Sequence, residues 1–280
     1  MKYSSAMRPQ IVKRLEKMGR ADIVVGIPSL NNQSTIAEVM EMISHGLRHH
    51  YADLRSVIIV SDGGSTDDTR DVAKDSRLRP WQEKVVGTYR GPPGKGSALR
   101  MVFEAAHLLN ARACLVADAE LRSISNSWVK TILEPILDHH FDFVAACYAG
   151  YQYDGTMTKT DVYGLFQEVF GTKVGQPIGR DFAFSRNLVS FYMDENVREN
   201  AVPPFSIDIL RTVQAVDQSE TLNPVFRQEA AYQLAISGQL IQMRFKLRNT
   251  PEDGDQAEEP FPTHPYRTEK QESAPFVPPL

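Results

Sequence analysis

The chain has 280 residues, 42% hydrophobic and 24% charged, the balance of a folded protein with room for one large α/β domain. A net charge of −4 and a pI near 6.0 leave no basic face for nucleic acid, so a nucleic-acid partner is not expected. No run of about 18 uninterrupted apolar residues occurs, so no membrane span is expected either. The N-terminal stretch MKYSSAMRPQIVKRLEKMGR lacks an apolar core and does not read as a secretory signal, which makes the cytoplasm the expected compartment.

In chain order, residues 9–20 read as a short basic helix ahead of the main domain. DIVVGI at 22–27 is a β-branched run of strand length. Residues 34–47 place Ile36, Val39, Met40 and Ile43 at helical spacing. VIIV at 57–60 is a second buried strand, 66–74 a short helix and 84–89 a weaker strand. Residues 97–109 are helical, RACLVA closes a fourth strand at 117, 128–137 is helical and 141–147 is a fifth strand. Cys114 and Cys147 lie in apolar runs and read as buried thiols rather than a disulfide. This alternation predicts an α/β fold with a mostly parallel sheet and helices on both faces. Ligands of such sheets sit beyond the carboxyl ends of the strands. That rule selects residues 28–32, 61–68, 91–97 and 118–122. Beyond residue 150 the pattern is irregular: 160–170 and 221–248 read as helices, and 249–280, rich in proline and acid, as a disordered tail.

Three motifs occupy the selected segments. SDGGSTDDT (61–69) puts Ser61 and Asp62 at a strand end, followed by glycines and helix-capping residues. On its own it is also an ordinary turn and cap. GPPGKGSA (91–98) sets Lys95 at the mouth of a helix, where backbone N–H groups and the helix dipole favour a phosphate. It is not a P-loop, because Gly96 rather than Ser or Thr follows the lysine. VADAELRS (116–123) delivers Asp118 and Glu120 two residues apart. In an extended segment both carboxylates would face one hard cation, Mg²⁺ or Mn²⁺. His45 and His49 stand at helical spacing but lack a further zinc ligand, and read as residues of a polar helix C-terminus. No Ser/His/Asp arrangement stands out.

The order IPSLNN, VSDGGSTDDT, PGKGSA, ADAEL resembles the GT-A nucleotide-sugar glycosyltransferases, over roughly residues 22–230. It is most similar to the branch of glucosyl-3-phosphoglycerate synthase and the related glucosyl- and mannosyl-glycerate synthases, which YDGTMTKTDVYGLF (153–166) and GQPIGRDFAFS (175–185) also resemble. The resemblance implies a Rossmann-like domain over 21–220, with a nucleotide-binding half (21–122) and an acceptor half (123–220). It implies that Pro28, Leu30, Asn32, Ser61 and Asp62 hold the base and ribose of a UDP- or GDP-hexose, and that Lys95 contacts the nucleotide or its diphosphate. Asp118 and Glu120 would hold Mg²⁺ or Mn²⁺, and Asp181 would lie near the sugar hydroxyls. Asp118, Glu120, Lys95 and Asp181 are thus the expected catalytic set. Gly155, Thr156 and Thr158 match the acceptor loop, where synthases acting on phosphoglycerate carry arginine in place of Thr156.

The implied reaction is retaining transfer of glucose or mannose to a small hydroxy acid such as glycerate, phosphoglycerate or a glycosylglycerate. Relatives carry a further metal-binding histidine, but no histidine lies between His140 and His264 here. A catalytically weakened or inactive nucleotide-sugar-binding variant is therefore the second reading. A sugar nucleotidyltransferase is a third, and would place a glycine-rich phosphate loop where IPSLNNQST stands. The helical stripe expected over 222–247 could pair two subunits.

Overall fold

The computed structural model describes residues 5–121, 124–148, 181–193, 231–235 and 240–245, all within the unit Met1–Asn249. Their elements are α1 (Pro9–Met18), β1 (Ile23–Ser29), α2 (Ile36–His50), β2 (Ser56–Asp62), α3 (Thr69–Asp75), β3 (Gln82–Thr88) and α4 (Lys95–Leu108). Then come β4 (Ala113–Val116), α5 (Asn126–Leu137), β5 (Phe143–Tyr148), β6 (Phe182–Ser185), α6 (Arg186–Met193), β7 (Ala231–Ala235) and β8 (Leu240–Phe245).

The strands form one sheet in the order β3-β2-β1-β4-β6-β5-β8-β7. The first four pair in parallel. β6 is antiparallel to β4 and β5, and β8 to β5 and β7. β6 and β8 thus run against the other six strands, and the sheet is mostly parallel, as expected. Strand order reverses between β1 and β4, which opens a crevice between the loops that follow them.

The central strands bury both faces, which is why they read as continuous β-branched runs rather than alternating ones. Val24, Val57, Ile59, Cys114 and Val116 pack with α1, α4 and α6 on one side. Ile23, Val25, Ile27, Ile58, Val60 and Leu115 pack with α2 and α5 on the other. α4 lies close on β1: a Cβ on Gly26 would stand 2.2 Å from Val102 Cγ1. α5 starts at Ser125, whose Oγ accepts from Trp128 N at 3.2 Å. α1 belongs to the core, not to an appendage, because Ile11, Leu15 and Met18 are buried in it. The chain ahead of it is anchored by Glu104, a buried carboxylate on α4 that accepts from Ser5 Oγ (2.6 Å), Ala6 N (2.9 Å) and Met7 N (3.3 Å).

The helix expected over 221–248 is corrected: within it, Ala231–Ala235 and Leu240–Phe245 are strands, paired antiparallel to each other. β8 also pairs with β5 from Phe143↔Phe245 to Tyr148↔Leu240. In the sequence, Ile241, Met243 and Phe245 alternate with Gln242 and Arg244, a period of two. Helix-forming Ala, Gln and Leu conceal that signal, and cross-strand pairing overrides their propensity. The helical stripe proposed for subunit pairing therefore does not run through these residues. β6 and α6 occupy a stretch that reads as irregular. The expected helix over 160–170 and the expected tail lie outside the described residues. Among the described residues no helix is long and apolar enough to cross a membrane.

Candidate active site

The loops after β1 and β2 are built as one piece. Asn31 takes a left-handed conformation, φ 56°, tolerated by asparagine. Its N–H donates to Ser65 Oγ at 2.9 Å, and its Oδ1 accepts from Thr66 N at 2.9 Å. Asn32 links further segments: its N–H donates to Thr69 Oγ1 (2.7 Å) and its Oδ1 accepts from Leu30 N (2.8 Å). Its Nδ2 donates to Glu120 Oε1 at 3.4 Å, across the crevice between β1 and β4. Pro28 pairs in register with Ser61, and Ser29 with Asp62. Leu30 stays 58% exposed, an apolar surface at the rim of this loop.

Asp62 is fully buried. Its Oδ2 accepts from Gly64 N (2.9 Å) and Ser65 N (3.0 Å), its Oδ1 from Ser65 Oγ, and Arg70 Nε stands 3.7 Å away. The carboxylate thus fixes its own turn, in which Gly64 needs φ 92°. Ser29 Oγ and Ser61 Oγ are buried here and have no hydrogen-bond partner among the described residues.

Lys95 opens α4 behind Gly94, whose φ of 134° and ψ of 167° suit glycine alone. The loop before it closes on itself through Ser97 Oγ, which donates to Pro92 O at 2.7 Å. Tyr89 ties this loop down: its hydroxyl accepts from Gly94 N at 2.9 Å. Sequence reasoning passed over Tyr89, whose only signal is a position between a strand and a glycine-rich loop.

Asp118 and Glu120 leave β4 at the crevice, Asp118 half-buried and Glu120 exposed. The extended geometry expected for them is replaced by a turn at Ala119–Glu120, in which Glu120 N donates to Asp118 Oδ1 at 2.9 Å. Asp181, just ahead of β6, is fully buried, and its Oδ1 accepts from Asp118 N at 2.8 Å. It holds the backbone that presents Asp118, a role not anticipated for it. Among the described residues no group of three or more His, Cys, Asp and Glu side chains comes together. Gly155, Thr156 and Thr158 lie outside the described residues, as does His264. His45 Nδ1 lies 2.7 Å from Asn126 Oδ1, joining α2 to the start of α5.

A sheet with this strand order, with three polar loops meeting where the order reverses and an Asp-Ala-Glu turn among them, has the GT-A architecture of glycosyltransferases. Residues 24–196 match glycosyl transferase family 2, more than half of the chain, and the chain belongs to that family. Its fold is similar to solved structures of glucosyl-3-phosphoglycerate synthase from Mycobacterium tuberculosis. The complex with Mn²⁺, UDP and phosphoglyceric acid is 27% identical, with a TM-score of 0.55 over 76% of this chain and 71% of the other. The complex with Mg²⁺ and UDP is 26% identical, with a TM-score of 0.54 over 74% and 69%. The complex with Mn²⁺, UDP and glucosyl-3-phosphoglycerate is 24% identical, with a TM-score of 0.54 over 78% and 72%. No curated protein sequence matches the chain.

Proposed function

We propose that the chain transfers a hexose, glucose or mannose, from a nucleoside diphosphate sugar to a small hydroxy acid, with retention of configuration. The observation that carries this reading is the contact of Asn32 Nδ2 with Glu120 Oε1, which joins the base-side loop to the acidic turn at the sheet's reversal point. The M. tuberculosis structures are complexes with UDP and with Mn²⁺ or Mg²⁺, which favours a UDP-sugar as donor. The residues present suit such a cation. Two hard carboxylates beside a diphosphate make the usual set for Mg²⁺, which keeps waters and substrate phosphates as its remaining ligands. Asp118 and Glu120 would hold it, and when bound it supplies Lewis-acid stabilisation of the leaving diphosphate.

The protein's own groups do the rest. Leu30 and Pro28 offer an apolar face to the base, Asn32 and Ser61 line the adjoining loops, and Asp62 fixes their turn. Lys95 and the α4 N-terminus neutralise diphosphate charge. Asp181 orients Asp118. The acceptor hydroxyl, held by the Gly155, Thr156 and Thr158 loop, attacks the anomeric carbon from the leaving-group face. A bond from the acceptor oxygen forms, the anomeric C–O bond to phosphate breaks, and the hydroxyl proton passes to the departing phosphate oxygen. No protein nucleophile is required.

The test is acceptor-dependent release of nucleotide. The full chain, with Mn²⁺ and either UDP-glucose or GDP-mannose, should release nucleoside diphosphate when glycerate, 3-phosphoglycerate or glucosylglycerate is added, and proton NMR should show the product retaining the donor's anomeric form. The lack of histidine between His140 and His264 favours a second reading, a donor-binding protein without transfer. Tight donor binding with no release for any acceptor would select it.

A further inference from the structure

The base-side turn and the phosphate-side loop are separate in sequence, and one side chain reaches both. Tyr89 follows β3 directly, and its own N–H donates to Asp62 O at 3.2 Å, so its backbone is fixed to the turn after β2. Its ring packs against the main core cluster. Its hydroxyl accepts from Gly94 N at 2.9 Å, one residue before Lys95. On the other side it lies against Gly63: a Cβ there would stand 3.4 Å from the Tyr89 oxygen and 3.3 Å from Leu30 Cδ1. The loop is also tied by Ser97 Oγ, which donates to Pro92 O at 2.7 Å, and by Arg90 N, which donates to Ala6 O at 2.7 Å, but neither of these bonds reaches the turn after β2. Gly91 and Gly94 have φ of 135° and 134°, and glycine there supplies freedom rather than rigidity.

We propose that Tyr89 is a positioning residue for the donor's diphosphate. Its hydroxyl fixes the 91–97 loop, and with it the starting point of Lys95 and the α4 N-terminus, relative to the Asp62–Gly64 turn that faces the base. The inference rests on the donor reading above and adds a determinant of how the two halves of the donor are held at a set spacing. Its consequence is selective. Loosening the tether leaves the base subsite intact and degrades the phosphate subsite, whereas a merely structural tyrosine would weaken both together.

The experiment compares wild type with Tyr89→Phe, which keeps the ring and removes the oxygen. Calorimetry on the full chain with Mn²⁺ measures uridine, UDP and UDP-glucose. Hydrogen exchange of the Gly94 amide is followed without ligand. UDP and UDP-glucose should weaken about three- to tenfold, the value of one neutral hydrogen bond, with uridine unchanged. The Gly94 amide should exchange faster in the variant. Equal losses for uridine and UDP, or unchanged UDP affinity, overturn the inference. Unchanged Gly94 exchange overturns the tether itself. Wild type that fails to bind UDP-glucose sinks the donor reading, and the exchange experiment still reports whether the tether exists.

Discussion

Asp181 offers a sharp test because its burial and its resemblance-based role predict different things. The side chain is fully buried, with Oδ1 2.8 Å from Asp118 N and its own carbonyl accepting from Ala146 N at 3.0 Å. Asp181→Ala removes a hydrogen bond to a charged acceptor and leaves the Asp118 N–H without it, a loss of about 2–3 kcal/mol. For a domain of this size that lowers Tm by roughly 4–12 °C. Asp181→Asn keeps an oxygen in place and should cost about 1 kcal/mol, the value of a neutral bond. Differential scanning calorimetry gives Tm, and isothermal titration with UDP-glucose and Mn²⁺ gives affinity in the same variants. Both readouts should worsen in the order wild type, Asn, Ala, because the same bond supports the fold and the presentation of Asp118. An Ala variant with wild-type Tm but abolished donor affinity would refute this reasoning and return Asp181 to a direct contact with the sugar.

Three further outcomes follow from the packing. Glu104→Ala removes the side-chain acceptor of the Ala6 N–H and the carboxylate 2.9 Å from Arg100 Nε, and should cost about 1–3 kcal/mol by urea unfolding; an unchanged midpoint would show that the N-terminal anchor contributes nothing. Gly26→Ala forces a Cβ to 2.2 Å from Val102 Cγ1 and 2.9 Å from Val102 Cβ and should destabilise by about 1–3 kcal/mol by urea unfolding; an unchanged midpoint would show that α4 does not lie this close on β1. Burial, then the neighbouring His49 and Lys130 charges, hold the His50 imidazole below its ordinary value of 6.5, against a smaller opposing pull from Glu134. A depressed histidine favours the neutral form when folded. Its contribution is therefore full above the unfolded pKa and lost as pH falls below it. His50→Gln should flatten the decline of Tm between roughly pH 7 and pH 5, and a slope equal to wild type would remove His50 as its source.

The parts of the fold visible in the sequence are those with strong local signals. β1, β2 and β4 are buried on both faces and stand out as unbroken apolar runs, and the polar motifs follow directly from their ends. Four-residue β6 has no period to detect, and β7 and β8 are written in residues that also favour helices. At the site, Asp62 and Asp118 could be located from their strands, but not the direction of their carboxylates. Asp62 turns inward onto Gly64 and Ser65, and Asp118 is set by Asp181, 63 residues away. Tyr89 and Glu104 act through contacts with distant backbone, for which spacing along the chain holds no code.

The central claim, that the turn after β4 holds a cation shared with the donor's diphosphate, is tested most directly by titrating UDP-glucose into wild type and Asp118→Ala, with and without Mn²⁺. The account predicts that Mn²⁺ strengthens binding to wild type and no longer does so in the variant. Equal affinity in wild type with and without the metal, or a variant that keeps the full metal effect, would contradict it.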